Sequence, residues 1–395
     1  MFEKKNIGSR HTATVLLMVA VAVAAASARS YLAMRAPGPD VDRVVPHAGF
    51  IQKQLSDYFQ GIRGSAADTE VYIQEGAEPG GTVLILGGTH ANEPAGVIAA
   101  VLMLERTSVS RGRLIIVPYA NMMGRTHTFP QDAHPQTFSF ETPNGNRRTF
   151  RYGARTTNPV HEWPNPDIYI HPASGQTMAG VERSNLNRAH PGTVDGGITE
   201  RLAYGLIQLL KIEQVDLAID LHEASPEYPV VEAMVAHERA MELAAMVSIE
   251  LEFQGIPMRL EPSPENLRGL IHREWGDNTD ALAILLETCN PSAGRFRGRT
   301  DEALILTGAD KAYKKAYELG RLYCSYETGA KPMADRVARH VTTVQLLADN
   351  LEFVREGKGI FIEGLPGYRE LSDLGVGAFL SEPRQPGRAA ADDDE

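Results

Sequence analysis

The chain has 395 residues, of which 43% are hydrophobic and 23% charged, and its formal net charge at pH 7 is −11. This apolar share is enough to bury a sizeable core, so wholesale disorder is excluded. The acidic balance, with no run of five or six basic residues, argues against nucleic acid as a partner.

The N-terminal segment combines positive charge with an apolar stretch. Lys4, Lys5 and Arg10 precede an uncharged run over residues 12–28, TATVLLMVAVAVAAASA. This order predicts an export signal or a single membrane anchor, with the rest of the chain outside the cytoplasm. The run is at the lower limit of a bilayer-spanning length and ends in Ala-Ser-Ala, which a signal peptidase accepts, so a cleaved signal and a retained anchor both stay open.

Strand and helix patterns alternate after this segment, which predicts an α/β fold. The continuous apolar run at residues 82–86 is typical of a strand buried on both faces. The predicted strands cover residues 70–74, 82–86, 113–117, 215–221, 230–235 and 281–286. The predicted helices cover residues 50–59, 94–105, 200–212, 238–253, 301–326 and 336–356.

The organisation predicted from these patterns has three parts. Residues 1–36 form the signal or anchor with its linker, residues 45–330 a large domain, and residues 331–395 a C-terminal helix and tail. The Pro-rich stretch 121–180 is long for a structureless connection, so we expect it to line a site or form a lid, or else to be a surface insertion packed on its own side chains. The acidic end, 389–395, is expected to be disordered.

A strand end supplies the first candidate site residues. The strand at 82–86 runs into GGTHANEPAG, which puts His90 and Glu93 on the turn before a helix, where open α/β sheets build their sites. An imidazole and a carboxylate three residues apart can bind one metal ion. Because about one His-x-x-Glu is expected by chance in a chain of this composition, the setting has to supply the specificity.

A second strand end supplies the third ligand. The sequence LAIDLH ends a predicted strand at His222, which completes the two-His, one-carboxylate set of a catalytic zinc site. We therefore expect one Zn²⁺ per chain. Asp220 shares a strand face with His222, and either orients that ligand or caps a nearby backbone group.

A catalytic zinc keeps a position open for water, and that water needs a general base. Glu287 ends a third predicted strand and is the candidate base, with Glu223 as the rival. In the segment RSNLNRAHPG, Arg and Asn donors suit capture of a carboxylate and polarisation of a carbonyl. Cys289 and Cys324, the only cysteines, are interpreted as two buried thiols, with one bridge as the alternative.

Taken together, GGTHANEPAG, NLNRAHPG, DLHEAS and LLETCN resemble the succinylglutamate desuccinylase/aspartoacylase family of zinc hydrolases, related to the zinc carboxypeptidases. The resemblance covers about residues 70–325. It implies a zinc carboxypeptidase-like fold, with a mixed, mostly parallel sheet flanked by helices. It also implies that residues 45–330 are a zinc hydrolase catalytic domain.

The resemblance also implies residue roles. His90, Glu93 and His222 would bind zinc and Glu287 would activate the metal-bound water. Two neighbouring residues, Asn187 and Arg188, would bind a substrate carboxylate.

A further arginine would polarise the scissile carbonyl. Arg183 is the nearest match, with Arg125 and Arg155 as alternatives. The family tyrosine has no clear position, and Tyr228 and Tyr169 are the candidates.

One departure from the family pattern lies beside the first histidine of the site. Asn185 stands where the family usually has an aspartate that accepts a hydrogen bond from that histidine. Its amide oxygen can still accept such a bond, but without the negative charge that raises ligand basicity.

These observations favour a zinc-dependent hydrolase that cleaves the amide bond of an N-acyl amino acid. The first alternative is an exported carboxypeptidase or peptidoglycan-peptide hydrolase. The second is a zinc-retaining receptor without catalysis. The expected partners are a small acylated amino acid or a short peptide, and a membrane if the N-terminal segment is retained.

Overall fold

The computed structural model describes residues 3–129 and 135–382, with side chains from residue 9 onward. The acidic end at residues 389–395 lies outside the described residues, so the expectation of disorder there stays a prediction.

Nine strands of the described chain form one sheet, in the order β1-β2-β4-β3-β9-β12-β10-β11 with β13 beside β4. β5 pairs with β6, and β7 with β8, in two separate hairpins. The strands are β1 (Ile51–Gln54), β2 (Glu70–Glu75), β3 (Glu78–Gly87), β4 (Ser108–Val117), β5 (Thr137–Glu141), β6 (Arg147–Arg151), β7 (Ile168–Ile170), β8 (Thr177–Ala179), β9 (Leu217–Ala224), β10 (Ala233–Ala236), β11 (Arg259–Pro262), β12 (Leu282–Cys289) and β13 (Phe361–Glu363).

The helices lie between these strands and after them. They are α1 (Glu3–Arg35), α2 (Pro94–Arg106), α3 (Leu186–Ala189), α4 (Ile198–Ile212), α5 (Met241–Phe253), α6 (Ile271–Asn278), α7 (Glu302–Thr307), α8 (Lys311–Glu318), α9 (Met333–Asp349), α10 (Leu351–Val354) and α11 (Tyr368–Leu374).

The centre of the sheet is parallel and buried on both faces. β4, β3, β9 and β12 run parallel to their neighbours, whereas β2 and β10 flank them in the antiparallel direction. Alternate residues face two cores: Ile219 packs in the core that contains α2, α5 and α9, and Ala218 in the core that contains α4 and α6. The predicted mixed α/β sheet flanked by helices is therefore confirmed.

Two predicted helices are wrong. Residues 50–59 instead contain β1, which pairs with β2 over residues 51–54, and a short 3-10 turn at Leu55–Asp57. The long helix expected over residues 301–326 is instead α7 and α8. Gly308 ends α7 in a left-handed conformation (φ +59°), and the Asp310 side chain caps the start of α8.

The stretch 121–180 contains more regular structure than its Pro content indicates. It holds both small hairpins, and it is tied to the linker after α1 by a buried ionic cluster. Arg125 and Arg151 both donate hydrogen bonds to the carboxylate of Asp42. Although burial opposes its charge, these two guanidinium groups hold the pKa of Asp42 below its ordinary value.

The N-terminal helix agrees with the predicted signal or anchor. Its stretch Ser9–Arg35 is 27 residues long, and the most apolar 18-residue window within it has a mean hydropathy of 1.9 and is not buried against the protein. It is therefore long and apolar enough to cross a membrane. At its end, the carbonyl of Met34 accepts a hydrogen bond from Arg151.

We predict that Gly96→Ala destabilises the fold near the site. A Cβ at this position of α2 would lie 2.4 Å from the carbonyl oxygen of Leu221 on β9, so helix and strand would have to separate. Overpacking of this kind costs about 1–3 kcal/mol of unfolding free energy, measured by urea denaturation.

Gly205→Ala on α4 is the matched control. Its Cβ would meet only the side-chain tips of Leu55 and Ile62, at 3.4 and 3.5 Å. The control is expected to gain about 0.5–1 kcal/mol, because alanine loses less backbone entropy in a helix than glycine does. Equal stability of the two variants would contradict the close approach of α2 to β9.

Candidate active site

The register of the central strands brings the candidate residues together. His222 on β9 and Glu287 on β12 are direct partners across the parallel pair. Both strands extend three residues beyond their predicted ends, so these side chains lie within the strands. Between β3 and α2 the chain turns at Gly88, whose φ of +75° favours glycine, and His90 and Glu93 follow.

The three expected ligands meet at one point. One oxygen of Glu93 lies 2.7 Å from Nδ1 of His90, and the other lies 2.7 Å from Nδ1 of His222. The donor atoms of the three residues all lie within 4.8 Å of one another, and all three residues are buried. This is the two-imidazole, one-carboxylate donor set that catalytic zinc sites use.

The second nitrogen of each imidazole is held by an outer partner. Nε2 of His90 lies 2.9 Å from Oδ1 of Asn185, and Nε2 of His222 lies 2.6 Å from Oδ2 of Asp220. If each Nε2–H donates to its partner, both Nδ1 atoms are left with lone pairs toward the centre of the site. Thr89 in turn donates a hydrogen bond of 2.9 Å to Asp220, a contact that no sequence pattern predicts.

The electrostatics of the buried cluster favour a cation. Burial, together with the nearby positive charge of Arg155, lowers the pKa of His90 to about 3, so this imidazole is neutral at pH 7. Burial also opposes a charge on His222, but the carboxylates of Asp220 and Glu93 raise its pKa well above the ordinary value. The carboxylates thus draw a proton to the position where a metal ion would supply the positive charge.

Glu287 and Glu223 differ in what their carboxylates contact. Both oxygens of Glu223 are engaged, by Arg336 at 2.6 Å and by the backbone N–H of Ala95 at 2.7 Å. By contrast, Oε2 of Glu287 is enclosed and has no hydrogen-bond partner among the described residues. Burial raises the pKa of Glu287 to about 8. Glu287 is therefore the carboxylate with capacity to take a proton.

A cleft of about 670 Å³ is lined by His90, Glu93 and Glu287. Asn187 and Arg188 line it, as the sequence predicts for residues that bind substrate. The side-chain oxygen of Asn187 accepts a hydrogen bond from the backbone of Ile271, which fixes its position. The nearest carboxylate to Arg188 is that of Glu182, 4.0 Å from its Nε, so the Arg188 charge is only weakly paired.

The arginine beside the ligands is Arg155, not Arg183. Arg155 lines the cleft, and its Nη1 lies 3.4 Å from Oε1 of Glu93. Arg183 is absent from the cleft lining, and its Nε lies 3.6 Å from Glu162. Arg125, the third candidate, is buried against Asp42. The sequence could not decide among them, because the choice depends on the path of the 121–180 segment.

The two tyrosine candidates differ in whether they line the cleft. Tyr228 is about half exposed and lines the cleft, whereas Tyr169 is buried and donates a hydrogen bond of 3.0 Å to Glu200. The two cysteines do not form a disulfide bond. Cys289 and Cys324 are free and buried, with Sγ atoms 3.3 Å apart, well beyond the length of about 2.05 Å of a disulfide bond.

We predict that Asp220→Asn weakens zinc binding by about 10–100-fold, because an amide supplies no charge to raise the basicity of His222. Competition with a chelating dye measures the affinity, and Asp195→Asn, an exposed position outside the cleft, is the control. Unchanged affinity in the Asp220 variant would contradict the role of Asp220 in raising the basicity of His222.

Comparisons with known proteins give structural matches only. No protein-family model and no curated protein sequence matches the chain. The structural matches include a product-bound ectoine utilization protein from Ruegeria pomeroyi, with a TM-score of 0.36 and 20% identity over 58% of this chain and 55% of that one. They also include a succinylglutamate desuccinylase/aspartoacylase from Rhodobacter sphaeroides, with a TM-score of 0.36 and 19% identity over 64% and 61%.

A third match is the tripeptide-bound cell shape determinant Csd4 from Helicobacter pylori, with a TM-score of 0.45 and 12% identity over 78% of this chain and 59% of that one. The chain thus spans between 55% and 61% of the length of these three structures. The assignment of chemistry rests on the geometry of the site itself.

Proposed function

We propose that the chain is a zinc-dependent hydrolase that cleaves the amide bond of an N-acyl amino acid. The observation that carries the proposal is the position of Glu287. Glu287 lines the cleft together with His90 and Glu93, its Oε2 has no hydrogen-bond partner among the described residues, and it is the register partner of His222. Hydrolysis by activated water requires metal ligands beside an unpaired carboxylate that can act as the general base.

His90, Glu93 and His222 would hold the ion. When bound there, zinc supplies Lewis acidity, which lowers the pKa of water and polarises a carbonyl oxygen. Glu287 takes a proton from the attacking water and delivers it to the nitrogen of the leaving amine. Its raised pKa in the enclosed site suits a group that must both accept and release a proton near neutral pH.

Two arginines would orient the substrate. Arg155, which lines the cleft beside Glu93, would stabilise the developing negative charge on the carbonyl oxygen. Arg188 would bind the carboxylate of the substrate. Its weak pairing with Glu182 leaves the guanidinium available for a second anion, and Asn187 adds a polar group beside it.

A second candidate function is an exported carboxypeptidase or peptidoglycan-peptide hydrolase. The apolar helix Ser9–Arg35 favours it, because an export signal or anchor would bring the domain to the compartment of cell-wall peptides. The same ligands and the same base would serve this reaction. A third candidate, a zinc-retaining receptor without catalysis, would not need Glu287.

We predict that Glu287→Gln lowers kcat by at least about 10²-fold while zinc remains bound, because the amide cannot accept the proton of the attacking water. The substrates are a library of N-acyl amino acids and short peptides, and released amines are identified by mass spectrometry. Glu265→Gln, an exposed carboxylate outside the cleft lining, serves as control.

Release of free amino acids from the N-acyl compounds would support the deacylase, and release of C-terminal residues from the peptides would support the carboxypeptidase. Full turnover by the zinc-loaded Glu287 variant would contradict both hydrolase proposals. Zinc-dependent binding without any turnover would support the receptor.

We predict that Arg155→Met lowers kcat by about 10²–10³-fold, which is the cost of losing one donor to a developing oxyanion. Arg183→Met, which removes an arginine outside the cleft lining, is expected to keep kcat within about threefold. Initial rates on the best substrate of the library measure both. A larger loss of kcat in the Arg183 variant than in the Arg155 variant would instead indicate Arg183 as the carbonyl-polarising residue.

A further inference from the structure

We propose that Glu261 selects substrates whose amino acid part carries a cationic side chain, such as lysine or arginine. This inference rests on the proposed function, because it assumes that the amino acid part of the substrate occupies the cleft beside Glu287. It concerns the wall of the cleft formed by residues of β10 and β11, which lies away from the candidate zinc ligands.

One row of residues crosses the sheet beneath this wall. Asp220 on β9, Leu285 on β12, Val235 on β10 and Glu261 on β11 are successive partners in the strand register. Paired residues of neighbouring strands point to the same face of a sheet. Leu285, Val235 and Glu261 accordingly all line the cleft. The row begins beside a candidate zinc ligand and ends at a carboxylate on the edge strand.

The length of the row suits a long side chain. Neighbouring strands lie about 4.8 Å apart, so β11 is roughly 10 Å from β12, the strand that carries Glu287. A lysine side chain extends about 6 Å from Cα to Nζ, and the substrate Cα must itself lie to one side of Glu287. A cationic group at the end of such a chain therefore reaches the edge of the sheet.

The surface between the two ends of the row is apolar. Leu285 and Val235 form the floor, and Val230, Leu267 and Leu270 also line the cleft. Apolar walls pack well against the methylene stem of a lysine or arginine but leave its charged head without a partner. A carboxylate at the far end supplies that partner. An acidic side chain in the ligand would instead be repelled by Glu261.

The carboxylate of Glu261 is available for this role. Among the residues that the structure describes, its side chain has no hydrogen bond or ion pair. The nearest cation on the same face of β11 is Arg259, and its guanidinium donates to the backbone carbonyls of Pro229 and Val231. Arg188, the residue proposed to bind the substrate carboxylate, lines the same cleft. The cleft thus offers a cation for an α-carboxylate and an anion for a positive side chain.

The test compares two ligands that differ only in the charge at the end of the side chain. Nα-acetyl-lysine and Nα-acetyl-norleucine are titrated by calorimetry into the zinc-loaded full-length chain that carries Glu287→Gln. We expect the lysine ligand to bind at least about tenfold more tightly. With Glu261→Gln added, this preference should fall to within about twofold, while norleucine affinity stays constant. With Glu265→Gln added instead, the preference should persist.

A peptide ending in lysine forms a second arm of the same experiment. We expect both the Nα-acetyl amino acids and the peptides to show the preference for lysine over norleucine, and to lose it with Glu261→Gln. Whichever of the two classes of compound binds more tightly is identified as the class of the ligand. Absence of binding, a ratio near one, or a ratio that Glu261→Gln leaves unchanged would each overturn the proposal.

Turnover by the chain with Glu287 intact separates this proposal from the proposed function. Hydrolysis of the lysine and norleucine compounds at equal kcat/KM would support the hydrolase and contradict selection by Glu261. Binding of lysine that depends on Glu261, without hydrolysis of either compound, would support the recognition and contradict the hydrolase.

Discussion

The site depends on one buried carboxylate that lies between two imidazoles. Each oxygen of Glu93 contacts Nδ1 of a different histidine at 2.7 Å, and the group is almost entirely removed from water. Burial alone would raise its pKa, yet the two imidazoles hold it well below the ordinary value. A negative charge is therefore kept in the interior, where a bound cation compensates it best.

The fold around Glu93 is arranged to keep that geometry. The backbone N–H of Ala95 at the start of α2 donates to Glu223, and Arg336 of α9 donates to the other oxygen of the same carboxylate. A helix from the C-terminal part of the chain thus stabilises the turn that carries Glu93. Because Glu223 follows His222 directly and faces the opposite core, the same contact also fixes the strand that carries His222.

Much of the fold follows from the sequence, because long apolar periodic segments specify their own type of structure. The strand at residues 82–86 and the helix at 94–105 are of this kind, and both are confirmed. The clustering of His90, Glu93 and His222 could also be predicted, because His90 and Glu93 follow β3 and His222 lies near the C-terminal end of the neighbouring strand β9. The error at residues 50–59 has a physical reason: pairing with β2 overrode a helical pattern in a short segment.

What the sequence could not supply is the relation between distant segments. Arg183 is close in sequence to Asn187 and Arg188, but the choice between it and Arg155 depends on how the 121–180 segment folds over the site. The role of Glu261 likewise appears only once the register of β11 against β10 is known, since nothing in its local sequence distinguishes it from Glu265. Tertiary contacts, rather than local propensity, decide both cases.

Anomalous X-ray diffraction at the zinc edge, from crystals of the zinc-loaded chain, would show directly which side chains bind the ion. We expect one anomalous peak per chain, within bonding distance of Nδ1 of His90, Nδ1 of His222 and the carboxylate of Glu93, with Glu287 close by and not itself a ligand. A peak held by other residues, or no peak between these three side chains, would contradict the proposed zinc site.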